Sequence, residues 1–200
     1  MGSPRGPGTD AVGFWDVVRG RSKPAPARLD ALFALPAAGI TLQTAAGFTM
    51  TGRGAVCFRP AQGPAFAQTV ADVVALLDDD DDPDVEQVTD QYGFAWLLAR
   101  QSDMESLVTD LHAVTTSLEA QGFGTAMLCA LVSFTDPTGR ALALVYLYKQ
   151  GTFYPFAPAP GGQQRRDNVL EIQMRELLKE DLPVEPDVSR WMALWGAPAL

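Results

Sequence analysis

From Ala141 to Tyr148 the chain reads Ala-Leu-Ala-Leu-Val-Tyr-Leu-Tyr, eight apolar or aromatic residues without a polar break. A run this short and this continuous is a buried strand or a segment of buried helix. The next residues favour the strand. Gly151 permits a tight reversal, and Thr152 to Phe156 reads as the returning partner. Pro155, Pro158 and Pro160 cannot donate to a ladder, so they lie at an edge or end it. Leu170, Met174, Leu177 and Leu178 then share one face of a helix. The stretch from Arg140 to Leu178 is therefore expected to be strand, turn, strand, proline corner and helix.

The rest of the chain reads in the same vocabulary. Leu29 to Leu35 is expected to be a short helix that stops before Pro36, because the residue preceding a proline avoids the helical region. Ile40–Gln43 and Gly54–Phe58 are candidate strands. Pro64 opens a helix whose apolar face is Phe66, Val70, Val73, Val74 and Leu77. Val85–Asp90 and Phe94–Ala99 form a hairpin around Gln91-Tyr92-Gly93. Ser102-Asp103-Met104-Glu105 is a capping box, and Leu107, Val108, Leu111, Val114 and Leu118 come after it as a helical stripe that Gly122 closes. Ala126–Phe134 and Arg140–Tyr148 are strands joined by Asp136-Pro137-Thr138-Gly139. The spacing F-x-P-x-x-G occurs at Phe58–Gly63 and again at Phe156–Gly161. The fold class expected is α+β, a largely antiparallel sheet flanked by helices, with the echo suggesting two related α-β-β-α halves sharing one sheet.

Charge is distributed unevenly. The net charge is −9, and Asp78 to Asp82, Asp84, Glu86 and Asp90 supply eight of the acids with no base among them. That run does not match a calcium loop: started at Asp78 it places Pro83 and Thr89 where glycine and glutamate are required. The first 28 residues carry five bases against two acids. Residues 1–27 are expected to be a disordered, basic segment and linker, and 28–200 a single domain. An acidic chain without a basic stripe is a poor nucleic-acid binder, so none is expected as a partner. Two cysteines 72 residues apart, Cys57 and Cys129, form neither a disulfide framework nor a metal spacing, and buried free thiols are expected. No run approaches the ~18 continuous apolar residues of a membrane span.

Motifs that carry chemistry are absent. There is no G-x-S-x-G, no phosphate-cradling glycine loop and no H-E-x-x-H, so no catalytic, cofactor or metal residue is assigned. Cys129 with His112, the single histidine, is the only nucleophile–base pairing to consider, and no third member is signalled. The candidate contacts are of another kind. Phe14, Trp15 and Val18, with Arg19 and Arg21 after them, have the composition of an interfacial membrane anchor or of a strap docking on the protein's own surface. Trp191 and Trp195 stand four apart, on one side of a helix if that stretch is helical, and suit either core packing or a partner.

Several strings place the chain by resemblance: Gly-Phe-Trp-Asp at 13–16, Leu-Asp-Ala-Leu-Phe-Ala-Leu-Pro at 29–36, and Leu-Val-Thr-Asp-Leu-His-Ala-Val at 107–114. Val145 to Pro158, Arg-Arg-Asp-Asn at 165–168 and Trp-Gly-Ala-Pro at 195–198 complete the set. In these the chain resembles the actinobacterial PspA-associated protein PspAB family of the phage-shock, envelope-stress response. The resemblance implies a non-enzymatic accessory protein with a PspA-like partner, cytoplasmic or peripheral to the inner membrane face. Family members look as if they begin where this chain has Val12-Gly13-Phe14, so Met1–Ala11 is expected to be an extension. Two other functions are consistent with the residues: a chaperone-like, client-binding homodimer, and an enzyme using Cys129 and His112.

Overall fold

The computed structural model describes residues 29–78, 83–161 and 164–200. The basic segment expected to be disordered, with Phe14, Trp15, Val18, Arg19 and Arg21, lies outside them, as does most of the acidic run. Six antiparallel strands form one sheet: β1 (Thr49–Phe58), β2 (Glu86–Thr89), β3 (Ala95–Arg100), β4 (Met127–Thr135), β5 (Ala141–Leu147) and β6 (Thr152–Phe156). Their order is β2-β3-β1-β4-β5-β6, every neighbour antiparallel. The helices are α1 (Leu35–Thr41), α2 (Pro64–Leu77), α3 (Met104–Ala120) and α4 (Asn168–Leu178). The fold is α+β, as expected.

The sheet is apolar on both faces. Val56, Phe58, Leu97, Val132, Leu144 and Tyr146 point to the side where the helices pack. Ala55, Cys57, Leu98, Leu131, Val145 and Phe156 point the other way, where the C-terminal tail brings Trp191, Leu194, Ala197 and Ala199. Alternate residues of β5 serve alternate faces, and because both are covered the run Ala141–Tyr148 shows no polar period.

Turn chemistry holds the ends. The Asp90 carboxylate accepts from Tyr92 N, Phe94 N and Trp96 Nε1 around the β2–β3 hairpin. Asp136 does the same work at the β4–β5 turn, accepting from Thr138 N and Arg140 N. Gly122 ends α3 with φ 82°, the left-handed value that glycine adopts without strain.

Three local expectations are corrected. The helix from Leu29 does not stop at Pro36: a 3₁₀ turn (Leu29–Ala34) runs into α1 and on into a π turn (Leu42–Ala46). Pro36 falls in the first turn of α1, where its missing N–H leaves no helical bond unmade. Ile40–Gln43 is therefore helical and not a strand; Leu32, Leu35, Ala38 and Leu42 form a buried helical stripe that outweighs two β-branched neighbours. At α3 the cap is Asp103, not Ser102, with its carboxylate accepting from Ser106 N at 2.8 Å.

The F-x-P-x-x-G echo is real as turn chemistry. Phe58 and Phe156 each end a strand, and Gly63 and Gly161 both take positive φ. Two matching halves do not emerge. The first copy loses the strand expected at Ile40–Gln43, and β1 lies inside the sheet while β6 is an edge.

β1 and α3 approach closely at Gly54. A Cβ there would lie 3.1 Å from both Leu111 Cδ1 and Leu131 O and 3.2 Å from Leu107 Cδ1. Gly54→Val should cost about 1–3 kcal/mol through overpacking, read as a lower urea midpoint at unchanged slope.

Candidate functional site

Polar residues tie the tail to the sheet. At the edge of β6, Phe153 N donates to Pro183 O at 2.8 Å and Glu185 N to Phe153 O at 2.7 Å. The buried Glu185 carboxylate then accepts from the Thr152 hydroxyl and Asp187 N. Further along, Tyr154 OH donates to Met192 O at 2.9 Å, and the Arg53 guanidinium donates to Pro198 O. The proline corner is pinned by an ion pair. Arg166 Nε lies 2.9 and 3.0 Å from the two oxygens of Glu171, whose Oε1 also accepts from Ala157 N. Arg166 also lies over the Phe156 ring and donates to Trp191 O.

The two tryptophans are placed differently. Residues 191–195 are not helical, so the four-residue spacing does not stack them. Trp191 is 5% exposed, parallel to Tyr154 at 5.9 Å, with Nε1 donating to Glu185 O. Trp195 is half-buried, edge-on to Phe156 at 5.1 Å. It borders a 440 Å³ cleft with Arg140, Pro158, Pro160, Gln164 and Gly196. A second groove, of 530 Å³, runs between α2 and α3 and is lined by Gln68, Asp72, Leu76, Gln121 and Phe123 among others. Both are open to solvent and offer mixed polar and apolar walls, which suits a protein surface or peptide more than a small substrate.

Cys129 and His112 do not meet. Cys129 belongs to the face beneath the tail, whereas α3, with His112, packs on the other. His112 Nε2 lies 3.8 Å from the Asp30 carboxylate and its ring centroid 4.8 Å from that of Phe33, which docks the Leu29–Ala34 turn onto α3. The partner of Cys129 is Cys57, directly opposite it across β1 and β4. Their thiols are hydrogen-bonded to one another, and that bond, with burial second to it, pushes the Cys57 thiol far above its usual pKa. A nucleophile needs the opposite shift. No group of three or more His, Cys, Asp or Glu able to hold a metal occurs among the described residues.

Sequence reasoning missed the cysteine juxtaposition, the Arg166–Glu171 pair and the tail as a sheet cover. Register and long loops set all three, and no local period reports them. What the described residues define is an α+β protein with two open surface grooves. The chain belongs to the PspAB family, PspA associated protein B, which matches residues 12–199. No curated protein and no solved structure matches it.

This geometry leads to two measurements. An aromatic disulfide reagent should titrate neither cysteine in the native protein and both in concentrated urea, since each is nearly fully buried. At the β4–β5 turn, desolvation works to raise the Asp136 pKa, but hydrogen bonds from Arg140 and Thr138 outweigh it and hold the group at about 2. Because this pKa lies below the unfolded value of about 3.9, the contribution is full above that value and is lost as pH falls toward 2. Asp136→Asn should flatten the acid limb of a stability-against-pH curve in that window.

Proposed function

We propose that the protein is a non-enzymatic accessory that binds a PspA-like protein partner at the inner membrane face. The family match carries this reading, and its extent matters as much as its name. It begins at residue 12, so Phe14, Trp15, Val18, Arg19 and Arg21 fall inside the matched region together with the folded part. That segment serves as a peripheral anchor, with aromatic and aliphatic side chains in the headgroup layer and bases toward anionic lipid. The protein works in the cytoplasm as part of the envelope-stress response. The half-exposed Trp195 beside its cleft is the candidate contact for the protein partner.

The competing readings lose support from the geometry. Separation of Cys129 and His112 by the sheet argues against nucleophilic catalysis by that pair. A client strand lying on the sheet would need its second face, which the chain's own tail occupies.

The test is direct association. Purified PspA-like protein from the same genome is passed over the immobilised full chain, alongside a Trp195→Ser variant. Retention by the wild type with at least about tenfold weaker retention by the variant is expected for an interfacial tryptophan. No retention by either would remove the partner assignment.

A further inference from the structure

The stretch Leu29–Ala46 is unusual for the surface of a water-soluble fold. Its 18 residues have a mean hydropathy of 1.3, long and apolar enough by length and composition to cross a membrane, yet only 28% of the stretch is buried. The inward stripe is Leu29, Leu32, Leu35, Ala38 and Leu42. The outward stripe is Asp30, Phe33, Ala37, Ile40 and Thr44. Phe33 is 50% and Ile40 64% exposed. Asp30 is the one charged residue in the whole stretch, at its first turn beside His112. An amphipathic surface helix ordinarily turns charge outward; this one turns phenylalanine, alanine and isoleucine.

The flanking chain indicates what covers it. Directly upstream are Arg19, Arg21, Lys23 and Arg28, after Phe14, Trp15 and Val18. Ten extended residues reach about 30 Å, so these bases lie within range of the stripe they lead into. The Asp78–Asp82 acids follow α2 in the sequence. His112 faces the Leu29–Ala34 turn, whereas Ser117 lines the groove to α2. Five residues apart on a helix is about 140° around its axis, so α2 and the stretch 29–46 lie against different flanks of α3. Asp78, the first residue of that run, closes α2 at its C-terminal end.

We propose that the outward stripe of residues 29–46, centred on Phe33 and Ile40, lies on an anionic lipid surface as a second contact continuous with the N-terminal segment. This rests on the peripheral anchoring proposed above. The stretch lies on the surface and does not cross, because its inward stripe is committed to the core with α3 and the sheet. Two contacts of this kind reinforce one another where one short apolar segment binds lipid only marginally.

The experiment is vesicle co-sedimentation of the full chain, with vesicles of phosphatidylcholine alone or containing roughly a third phosphatidylglycerol. The variants are Phe33→Glu/Ile40→Glu, Ile40→Glu alone, and Phe14→Ser/Trp15→Ser, each checked for an unchanged melting temperature. Ile40→Glu alone keeps the comparison valid if loss of the Phe33–His112 contact destabilises the double variant. The wild type should pellet with anionic vesicles and not with neutral ones. Both double variants should bind at least about tenfold more weakly, and Ile40→Glu several-fold. Weakening by Phe14→Ser/Trp15→Ser but not by Ile40→Glu overturns this proposal and leaves the anchor standing. A wild type that pellets with neither kind of vesicle overturns both. Intact lipid binding by Ile40→Glu with lost retention of the PspA-like protein assigns the stripe to a protein partner and overturns the lipid assignment.

Discussion

The structure depends on covering a sheet that is apolar on both faces with helices available for only one. Four helices and their 3₁₀ and π extensions occupy the first face. The second falls to a tail without long regular structure, whose backbone bonds to itself only in short turns. The polar interactions found there arise from that constraint. A buried irregular segment must find a partner for each N–H and C=O or lose about 1–3 kcal/mol for each one left unmade. Tyr154, Arg53 and Arg166 supply partners from the sheet and the proline corner, and Glu185 supplies them from within the tail. The large side chains Trp191 and Leu194 return roughly 1.5–3 kcal/mol each by burial.

The Arg166–Glu171 pair is where these demands converge. Glu171 is on α4, on the helical side, and Arg166 reaches the carbonyl of Trp191 in the tail. The same carboxylate holds Ala157 N, the first amide after β6. One buried ion pair thus links the last helix, the edge of the sheet and its second cover. Such a pair adds little net stability over an apolar substitute, but removing one partner strands a buried charge. Arg166 holds the tail at Trp191, beyond the point where Pro183 and Glu185 already bind the edge of β6.

Much of this architecture could be read from the residues, and the failures have definite physical causes. The β5–β6–α4 unit, both hairpins, α2 and α3 come from local period and turn chemistry, and each lies where expected. Leu29–Ala46 misled because Pro36 and the β-branched pair Ile40–Thr41 are strong local signals, while the helical stripe that overrides them is stabilised by tertiary packing. The capping serine at 102 gave way to Asp103 by one position, a boundary shift of the usual size. The Cys57–Cys129 contact was beyond reach, because it depends on the register of strands separated by two helices and a hairpin. For Trp191 and Trp195 the residue types pointed to importance but not to its kind. One became a core wedge and the other the rim of a cleft, and only the path of the tail decides between them.

The division of labour between the faces bears on where binding resides. Among the described residues both faces of the sheet are covered. The open features among the described residues include the cleft at Trp195, the α2–α3 groove and the outward stripe of residues 29–46, in which Asp30 is the one charge. The stripe differs from the grooves in one respect. A groove can be solvated when empty, whereas Phe33 and Ile40 stand outward on a convex helix and are wetted whenever nothing covers them. The net charge of −9, with eight acids concentrated between Asp78 and Asp90, keeps such a chain soluble in that uncovered state. Exposed apolar residues and unevenly placed charge are thus two parts of one arrangement, and neither makes the same sense without the other.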